Sequence, residues 1–207
     1  PVDLINKDML IGSTVTSISD NGNAVVGSKP TDLLHVVFTR NKTHVQLRQV
    51  NTDYITGSTQ IDEALRKSTL GAILSNQKIQ AYNNDSTAIV FDMSSVFLGD
   101  NKKMSPFDKN SIYGMYNRTE NYQSDCSYIS QIKAFKDNVS IKSCLSYTFS
   151  VSNSQGASLI KDRPFTAEMT RSIMLLKEKP YRPRMADYRI GVFFTGREQL
   201  GEGAKTT

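Results

Sequence analysis

The fold of this chain is decided by the run Val139-Ser-Ile-Lys-Ser-Cys-Leu-Ser-Tyr-Thr-Phe-Ser-Val151. Its alternate positions are mostly apolar or aromatic, namely Val139, Ile141, Leu145, Tyr147, Phe149 and Val151. Such alternation has the period of a strand with one buried face. The segment from Phe165 to Leu176 repeats the pattern, after the Ser-, Asn- and Gly-rich residues 152–164. The sequence therefore predicts a long antiparallel pair joined by a loop.

Two further hairpins precede this pair. The first spans residues 33–50 and turns at Asn41-Lys42, where Asn tolerates the positive φ of a tight turn. Its predicted apolar face holds Val36, Phe38, Val45 and Leu47, and its polar face holds His35, Thr39, His44, Gln46 and Arg48. The second hairpin pairs residues 78–82 with residues 87–93 across the turn Asn83-Asn84-Asp85. These hairpins predict a largely antiparallel sheet.

Two segments have the periodicity of a helix. In Ile61 to Leu74, the apolar stripe consists of Ile61, Leu65, Leu70, Ile73 and Leu74. In Ser124 to Phe135, a serine suited to an N-cap precedes an apolar side made of Tyr128, Ile129, Ile132 and Phe135. The expected fold class is α+β, a mostly antiparallel sheet built from hairpins with about two helices packed on it.

Length and composition indicate one domain. The chain has 207 residues, of which 38% are hydrophobic, enough for one core and short for two domains. We expect a single domain over residues 1–195 and a C-terminal linker over residues 196–207, leading to a further domain of a longer protein. No apolar run approaches the roughly 20 residues that a membrane-spanning helix needs.

The net charge of +5 is spread along the predicted strands. A nucleic-acid interface would instead show a dense basic stripe with interleaved aromatic residues. We therefore expect solvated strand faces and no nucleic-acid partner.

The scarcity of imidazoles and thiols limits the chemistry. With two His and two Cys residues in the chain, any nucleophile–histidine centre must use His35 or His44. In the predicted hairpin these two residues lie about 13 Å apart along the strand, too far to bind one zinc ion. No P-loop, dinucleotide-binding or H-E-x-x-H motif is present. We expect no catalytic residue, no cofactor site and no metal site in this chain.

Cys126 and Cys144 leave three alternatives open. They form a disulfide, they remain two unpaired thiols, or Cys126 is a reactive thiol at the start of the predicted helix. Sequence alone does not decide whether the two residues pair.

Two surface features are candidate binding sites. Tyr113, Tyr116 and Tyr122 form a candidate ligand surface, since aromatic rings stack on sugars and bases; the alternative is a loop that packs its rings against the sheet. Near the C-terminus, the charged residues of a proline-containing segment are Arg182, Arg184, Asp187 and Arg189. They form either a docking strap for a following domain or an Arg–Asp clamp on the chain's own sheet.

Three segments carry a resemblance to a known family. They are Leu33-Leu-His-Val-Val-Phe-Thr-Arg40 with Val45-Gln-Leu-Arg-Gln-Val50, Ile79-Gln-Ala-Tyr-Asn-Asn-Asp-Ser-Thr-Ala-Ile-Val-Phe-Asp92 with Val96-Phe-Leu-Gly-Asp100, and Tyr181-Arg-Pro-Arg-Met-Ala-Asp-Tyr-Arg-Ile-Gly-Val-Phe193. Together they resemble the N-terminal region of a family of large secreted zinc-dependent metalloproteases common in Bacteroidetes, a domain of unknown function upstream of the peptidase domain. That family usually has Pro after the Asp of the third segment, where this chain has Tyr188.

The resemblance implies an accessory role. The family's zinc ligands lie in a downstream H-E-x-x-H-type peptidase domain, so zinc is expected only there and no catalytic residue transfers to this chain. The resemblance also implies an exported protein, periplasmic or at the cell surface, whose partner is the downstream peptidase domain and whose parent acts on protein or peptide. The expected function is a non-catalytic N-terminal domain that packs against the peptidase or shapes access to it. The alternative is an independent surface module that binds peptide or glycan.

Overall fold

The computed structural model describes residues 1–19, 25–51, 59–107 and 116–177. They belong to a compact unit, Pro1–Leu176, and to a second unit, Lys177–Thr207, of which only Lys177 is described. The predicted boundary at residue 195 lies outside the described residues, so the division into domain and linker stays a prediction.

One antiparallel sheet dominates the described residues. In chain order the strands are β1 (Asp8–Ile18), β2 (Leu34–Arg40), β3 (His44–Gln49), β4 (Ala72–Lys78), β5 (Ala81–Tyr82), β6 (Ile89–Val90), β7 (Tyr116–Ala134), β8 (Asn138–Asn153) and β9 (Ser158–Leu175). Seven of them form the sheet in the order β4-β3-β2-β1-β9-β8-β7, which curls into an open half-barrel. Strands β5 and β6 form a separate small hairpin, within the segment predicted to pair there.

The long pair at the end of the described sequence is confirmed. Strands β8 and β9 are antiparallel, with Leu145 opposite Ala167 and Tyr147 opposite Phe165, all four buried. The apolar side chains of both strands therefore share one face, as the alternation predicted. The predicted loop is too long, because residues 154–157 alone connect the two strands.

The hairpin of β2 and β3 has the predicted faces but a longer turn. Phe38 pairs with Leu47 on the apolar side, so the pairing is displaced by two residues from a turn centred on Asn41-Lys42. The Asn41 amide donates to the carbonyl of His44 at 3.0 Å, and the Asn41 side chain accepts from two backbone amides of the turn. An asparagine side chain that caps the turn in this way favours the wider loop.

The predicted α+β class is wrong, because the described residues are mostly β. Their helices are α1 (Thr59–Ser68), α2 (Ser94–Phe97) and two 3-10 turns, Val2–Leu4 and Lys102–Met104. The segment predicted as a helix from Ser124 to Phe135 lies in β7 and the turn after it. The helix predicted to reach Leu74 ends at Ser68, before β4. No described helix combines the length and hydrophobicity needed to cross a membrane.

Two bulges explain why β7 has a helix-like apolar spacing. The four residues 124–127 oppose Leu145 alone, and a second, smaller bulge lies between Ile129 and Gln131. Extra residues in one strand interrupt the strict alternation of sides. The apolar residues of β7 therefore recur at uneven spacings, although the backbone is extended.

The core lies between one face of the sheet and residues 93–107, called here the cover segment. The buried apolar side chains of the sheet in this core are Met9, Ile11, Val15, Leu34, Val36, Leu47, Ile141, Leu145, Tyr147, Phe149, Phe165 and Met169. Those of the cover segment are Val96, Phe97, Met104 and Phe107. Burying one large apolar side chain contributes about 1.5–3 kcal/mol, so the cover segment is a substantial part of the fold.

Candidate functional site

Most of the predicted binding residues lie outside the described residues. This holds for the four charged residues of the predicted docking strap, Arg182, Arg184, Asp187 and Arg189, and for Tyr113. Tyr116 begins β7, but its side chain is not among those described. The docking strap and the three-tyrosine surface therefore stay predictions.

Tyr122 makes its described contacts inside the fold. Its hydroxyl donates to the carbonyl of Leu98 in the cover segment. Its ring meets the ring of Tyr147 edge-on, with 5.5 Å between the ring centroids. In the described residues this tyrosine joins the edge strand β7 to the cover segment.

A buried arginine holds the cover segment to the sheet. Arg171 of β9 is 1% exposed, and its Nη1 donates to the carbonyl of Phe97 at 3.1 Å. Its Nη2 donates to the carbonyl of Met104 at 2.9 Å. These two residues end α2 and the second 3-10 turn, where backbone carbonyls lack intrahelical partners. Burial lowers the pKa of Arg171 to about 10, so the group stays charged at neutral pH.

A second arginine, Arg118 of β7, lies over the aromatic part of the core. Its Nε donates to Glu120 Oε1 at 2.8 Å, and the two side chains are 9% and 13% exposed. Its guanidinium carbon lies 4.1 Å from the ring centroid of Phe149, with Phe107 and Phe165 within 6 Å. A cation over a ring face is stabilised by the ring quadrupole.

Sequence reasoning missed both arginines, and one of them left a signal. Arg171 occupies the same alternate positions of β9 as Ala167, Met169 and Ile173. When a charged residue occupies a position on an otherwise apolar face of a strand, there are two possibilities. Either the charged side chain is buried together with polar partners, or that face of the strand is exposed to solvent. Arg118 left no comparable signal, because β7 was not predicted as a strand.

Two clefts flank residues 29–33. One, of about 530 Å³, borders β1 at Gly12 and Thr14. The other, of about 730 Å³, lies beside Gln49 and the second 3-10 turn, and its charged lining residues are Lys29, Lys102, Lys103 and Asp32. Lys103 Nζ donates to Gln49 Oε1 at 2.6 Å. The larger cleft therefore has a mainly cationic rim, suited to an anionic ligand.

The two histidines lie farther apart than predicted. Because Arg40 pairs with Val45, His44 falls opposite Asn41, about 20 Å along β2 from His35. His35 Nε2 contacts Asp8 Oδ1 at 3.1 Å, and His44 Nδ1 contacts the hydroxyl of Thr43 at 2.8 Å. Within residues 1–19, 25–51, 59–107 and 116–177, no three His, Cys, Asp or Glu side chains are placed to hold a metal ion.

A polar row crosses the other face of the sheet. Tyr128 of β7 pairs with Cys144 of β8, which pairs with Glu168 of β9. Glu168 Oε1 accepts from Lys142 Nζ at 3.0 Å and from the Thr16 hydroxyl at 2.9 Å. The hydrogen bond from Lys142 is the main cause of the lowered pKa of Glu168. Contact with the Cys144 thiol raises the pKa of Tyr128.

Both cysteines are free thiols, Cys126 exposed and Cys144 half-buried.

The edge strand β7 exposes large apolar side chains. Tyr128 is 58% exposed, Ile132 is 63% exposed, and Phe135, just beyond the strand, is 59% exposed. Edge strands with exposed apolar residues pair or dock readily with other chains. Tyr128 lies on the polar face, opposite Cys144, and Ile132 lies on the core-side face, opposite Ile141. These three side chains, called here the β7 patch, therefore line the edge of the described sheet rather than one face. This edge is a candidate docking surface among the described residues.

Comparison with known proteins identifies the family. No match was found among curated proteins or among solved structures. The family model that does match is described as a domain of unknown function, DUF5117, and it spans residues 27–205. That match includes the β2–β3 hairpin, the cover segment and the long β7–β8–β9 meander. The chain belongs to the DUF5117 family.

Proposed function

We propose that this protein is a non-catalytic accessory domain of a longer, exported zinc metallopeptidase, and that it packs against the downstream catalytic domain. The resemblance to the N-terminal region of secreted zinc metalloproteases supports this assignment. In that family the zinc ligands belong to the downstream domain, so this chain supplies contacts and shape rather than chemistry.

The observation that carries the proposal is the β7 patch. Tyr128, Ile132 and Phe135 each expose more than half of their surface, although large apolar side chains favour burial. Removing such surface from water contributes about 25 cal/mol for each Å². A domain of the same chain is held close by its linkage, so a modest apolar surface is enough to position it.

The test is association of two separately produced parts. The present chain is titrated with the downstream domain of its parent protein by calorimetry, and binding is expected. The double variant Tyr128→Ser/Ile132→Ser should weaken binding at least about tenfold, since each lost apolar contact costs on the order of 1 kcal/mol. Arg184→Glu should also weaken binding if the predicted strap takes part.

A matched control separates docking from general loss of apolar surface. Leu159, at the start of β9, is 55% exposed, and Leu159→Ser should leave binding unchanged. Absence of association at high micromolar concentration, or equal weakening by Leu159→Ser, would count against the proposal. Peptidase activity of this chain alone with added zinc would also contradict it.

A second candidate function is a surface module that binds peptide or glycan. The larger cleft favours this candidate, because three lysines line it against one carboxylate residue, Asp32. An acidic peptide or an acidic oligosaccharide should shift the amide resonances of Lys29 and Lys103 in NMR titrations. The variant Lys29→Gln/Lys103→Gln should abolish the shifts, whereas Lys133→Gln/Lys136→Gln, at the far end of β7, should leave them unchanged. Absence of shifts with both ligands would exclude the cleft.

A further inference from the structure

We propose that Cys126 and Cys144 form a reversible disulfide that links the edge strand β7 to β8. The sequence contains these two cysteines and no others. One thiol is exposed and the other half-buried, so an oxidant in solution reaches the pair through Cys126. The proposal is independent of the proposed docking function and rests on the larger bulge of β7.

The larger bulge places Cys126 against the strand that carries Cys144. The Ser146 hydroxyl donates to the carbonyl of Cys126 at 2.9 Å. The Ser146 amide donates to the hydroxyl of Ser127 at 3.0 Å. The bulge is therefore bound at Ser146, two residues from Cys144 and on the same side of β8.

The strand register makes Cys126 and Cys144 diagonal neighbours on adjacent strands. Tyr128 is directly opposite Cys144, at a Cα separation of about 4.5–5.5 Å. Cys126 lies two residues before Tyr128 in the bulge, and such diagonal neighbours in an antiparallel pair lie about 7–8 Å apart between Cα atoms. Disulfides span Cα separations of about 4.4–6.8 Å, so the exposed bulge must move roughly 1–3 Å toward β8 for the bond to form.

The chemistry is thiol–disulfide exchange with a low-molecular-weight disulfide such as glutathione disulfide. The Cys126 thiolate attacks one sulfur of that disulfide, breaks its S–S bond and releases one glutathione thiolate. The Cys144 thiolate then attacks the Cys126 sulfur of the mixed disulfide and releases the second. The protein loses two protons and two electrons, and glutathione disulfide is reduced to two glutathione molecules.

The experiment is oxidation of the full chain with glutathione disulfide, followed by alkylation and intact-mass analysis. We expect a monomer lighter by two hydrogens that no longer accepts alkylating reagent, with Cys126 and Cys144 joined in one peptide pair. Dithiothreitol should restore both thiols. The oxidised form should melt about 5 °C higher than the reduced form, since the cross-link restricts the unfolded chain.

Two variants and two alternative products make the result decisive. Cys126→Ser should block both the mass change and the rise in melting temperature, and Cys144→Ser should stop at glutathione bound to Cys126. If the unchanged protein also stops at glutathione on Cys126, the two thiols are too far apart and the proposal is wrong. A disulfide-linked dimer as the main product, or two thiols that stay alkylatable, would equally overturn it.

Discussion

Arg171 and Arg118 both place a guanidinium beside the core, yet they are stabilised in opposite ways. The described partners of Arg171 are two neutral backbone carbonyls of the cover segment. Arg118 instead has a carboxylate from its own strand and the face of Phe149. The first arginine donates hydrogen bonds to the backbone of a distant segment, whereas the second has its ion pair within β7 and lies over rings of β8, β9 and the cover segment.

The difference shows that burial alone does not define the role of a charge. A carbonyl at the end of a helical turn carries a partial negative charge and lacks an intrahelical donor. Arg171 supplies that donor to two such ends at once, so its loss affects both. The aromatic rings around Arg118 keep their contacts with one another without it, whereas the carboxylate of Glu120 loses the partner that the guanidinium supplies.

The largest effect is expected from Arg171→Met. The variant leaves the carbonyls of Phe97 and Met104 without their donor, at about 1–3 kcal/mol for each buried group. We expect the free energy of unfolding to fall by about 3 kcal/mol, measured by urea denaturation. Arg171→Lys should recover part of the loss, because one ammonium reaches one carbonyl. A loss below about 1 kcal/mol would show that the two arginines do not differ as proposed.

A smaller effect is expected from the double variant Arg118→Met/Glu120→Gln. The methionine thioether still packs on Phe149, and removing both charges of this largely buried pair leaves no carboxylate unpaired. The free energy of unfolding should therefore fall by about 1–2 kcal/mol, mainly through the lost cation–π contact, and the same urea experiment measures it. In the double-mutant cycle of the two substitutions, the coupling energy should be at least about 1 kcal/mol, because each single variant leaves one charge without its partner. A coupling near zero would mean that the rings alone stabilise this guanidinium.

Two tyrosines extend the comparison to neutral hydroxyl groups, one with a hydrogen-bond acceptor and one without a partner among the described residues. Tyr122→Phe should cost about 1 kcal/mol, because its hydroxyl donates to Leu98 in the cover segment. The hydroxyl of Tyr147 is buried and has no hydrogen-bond partner within the described part of the chain, and burial raises its pKa. Tyr147→Phe should therefore be neutral or stabilising by up to ~1 kcal/mol. Thermal denaturation distinguishes the pair, and an equal loss in both would contradict this account.

The smallest effect is expected on the polar face of the sheet, at Glu168. Its folded-state pKa is lowered mainly by Lys142, so its stabilisation is present above the unfolded-state pKa and is lost as pH falls through the folded-state pKa. Because the pair is partly exposed, we expect at most ~0.5 kcal/mol. Glu168→Gln should be less stable than the unchanged chain at pH 7 and equal to it at low pH. A difference that persists at low pH would exclude this explanation.

The central strands were predictable, and the irregular edge was not. Strand β8 pairs with β7 on one side and with β9 on the other. Apolar and polar residues therefore alternate along almost all of it, and this pattern predicted both the extent of the strand and its buried face. Strand β1 was not predicted, since small polar residues such as Ser13 occupy part of its buried face. In β7, the bulge at residues 124–127 and the lack of burial at Ile132 gave an apolar spacing that resembles a helix. That misreading produced the wrong fold class.

The candidate sites were less predictable than the fold. The partners of Arg171 lie on a segment without strong periodicity, so no local pattern pairs them with β9. The β7 patch depends on which strand is at the edge, a property of the strand order rather than of any segment. The predictions for the C-terminal charged residues and for Tyr113 concern residues outside those the structure describes, and Arg184→Glu in the two-part binding experiment tests the predicted docking strap.

The contacts of Arg171 also determine when the fold can form during synthesis of the chain. Its carbonyl partners precede it by 74 and 67 residues, and β9 is the neighbour of β1. During synthesis from the N-terminus, both partner segments exist long before the strand that joins them. Such distant pairing makes folding slow, and the exposed apolar segments are a substrate for chaperones until β9 emerges.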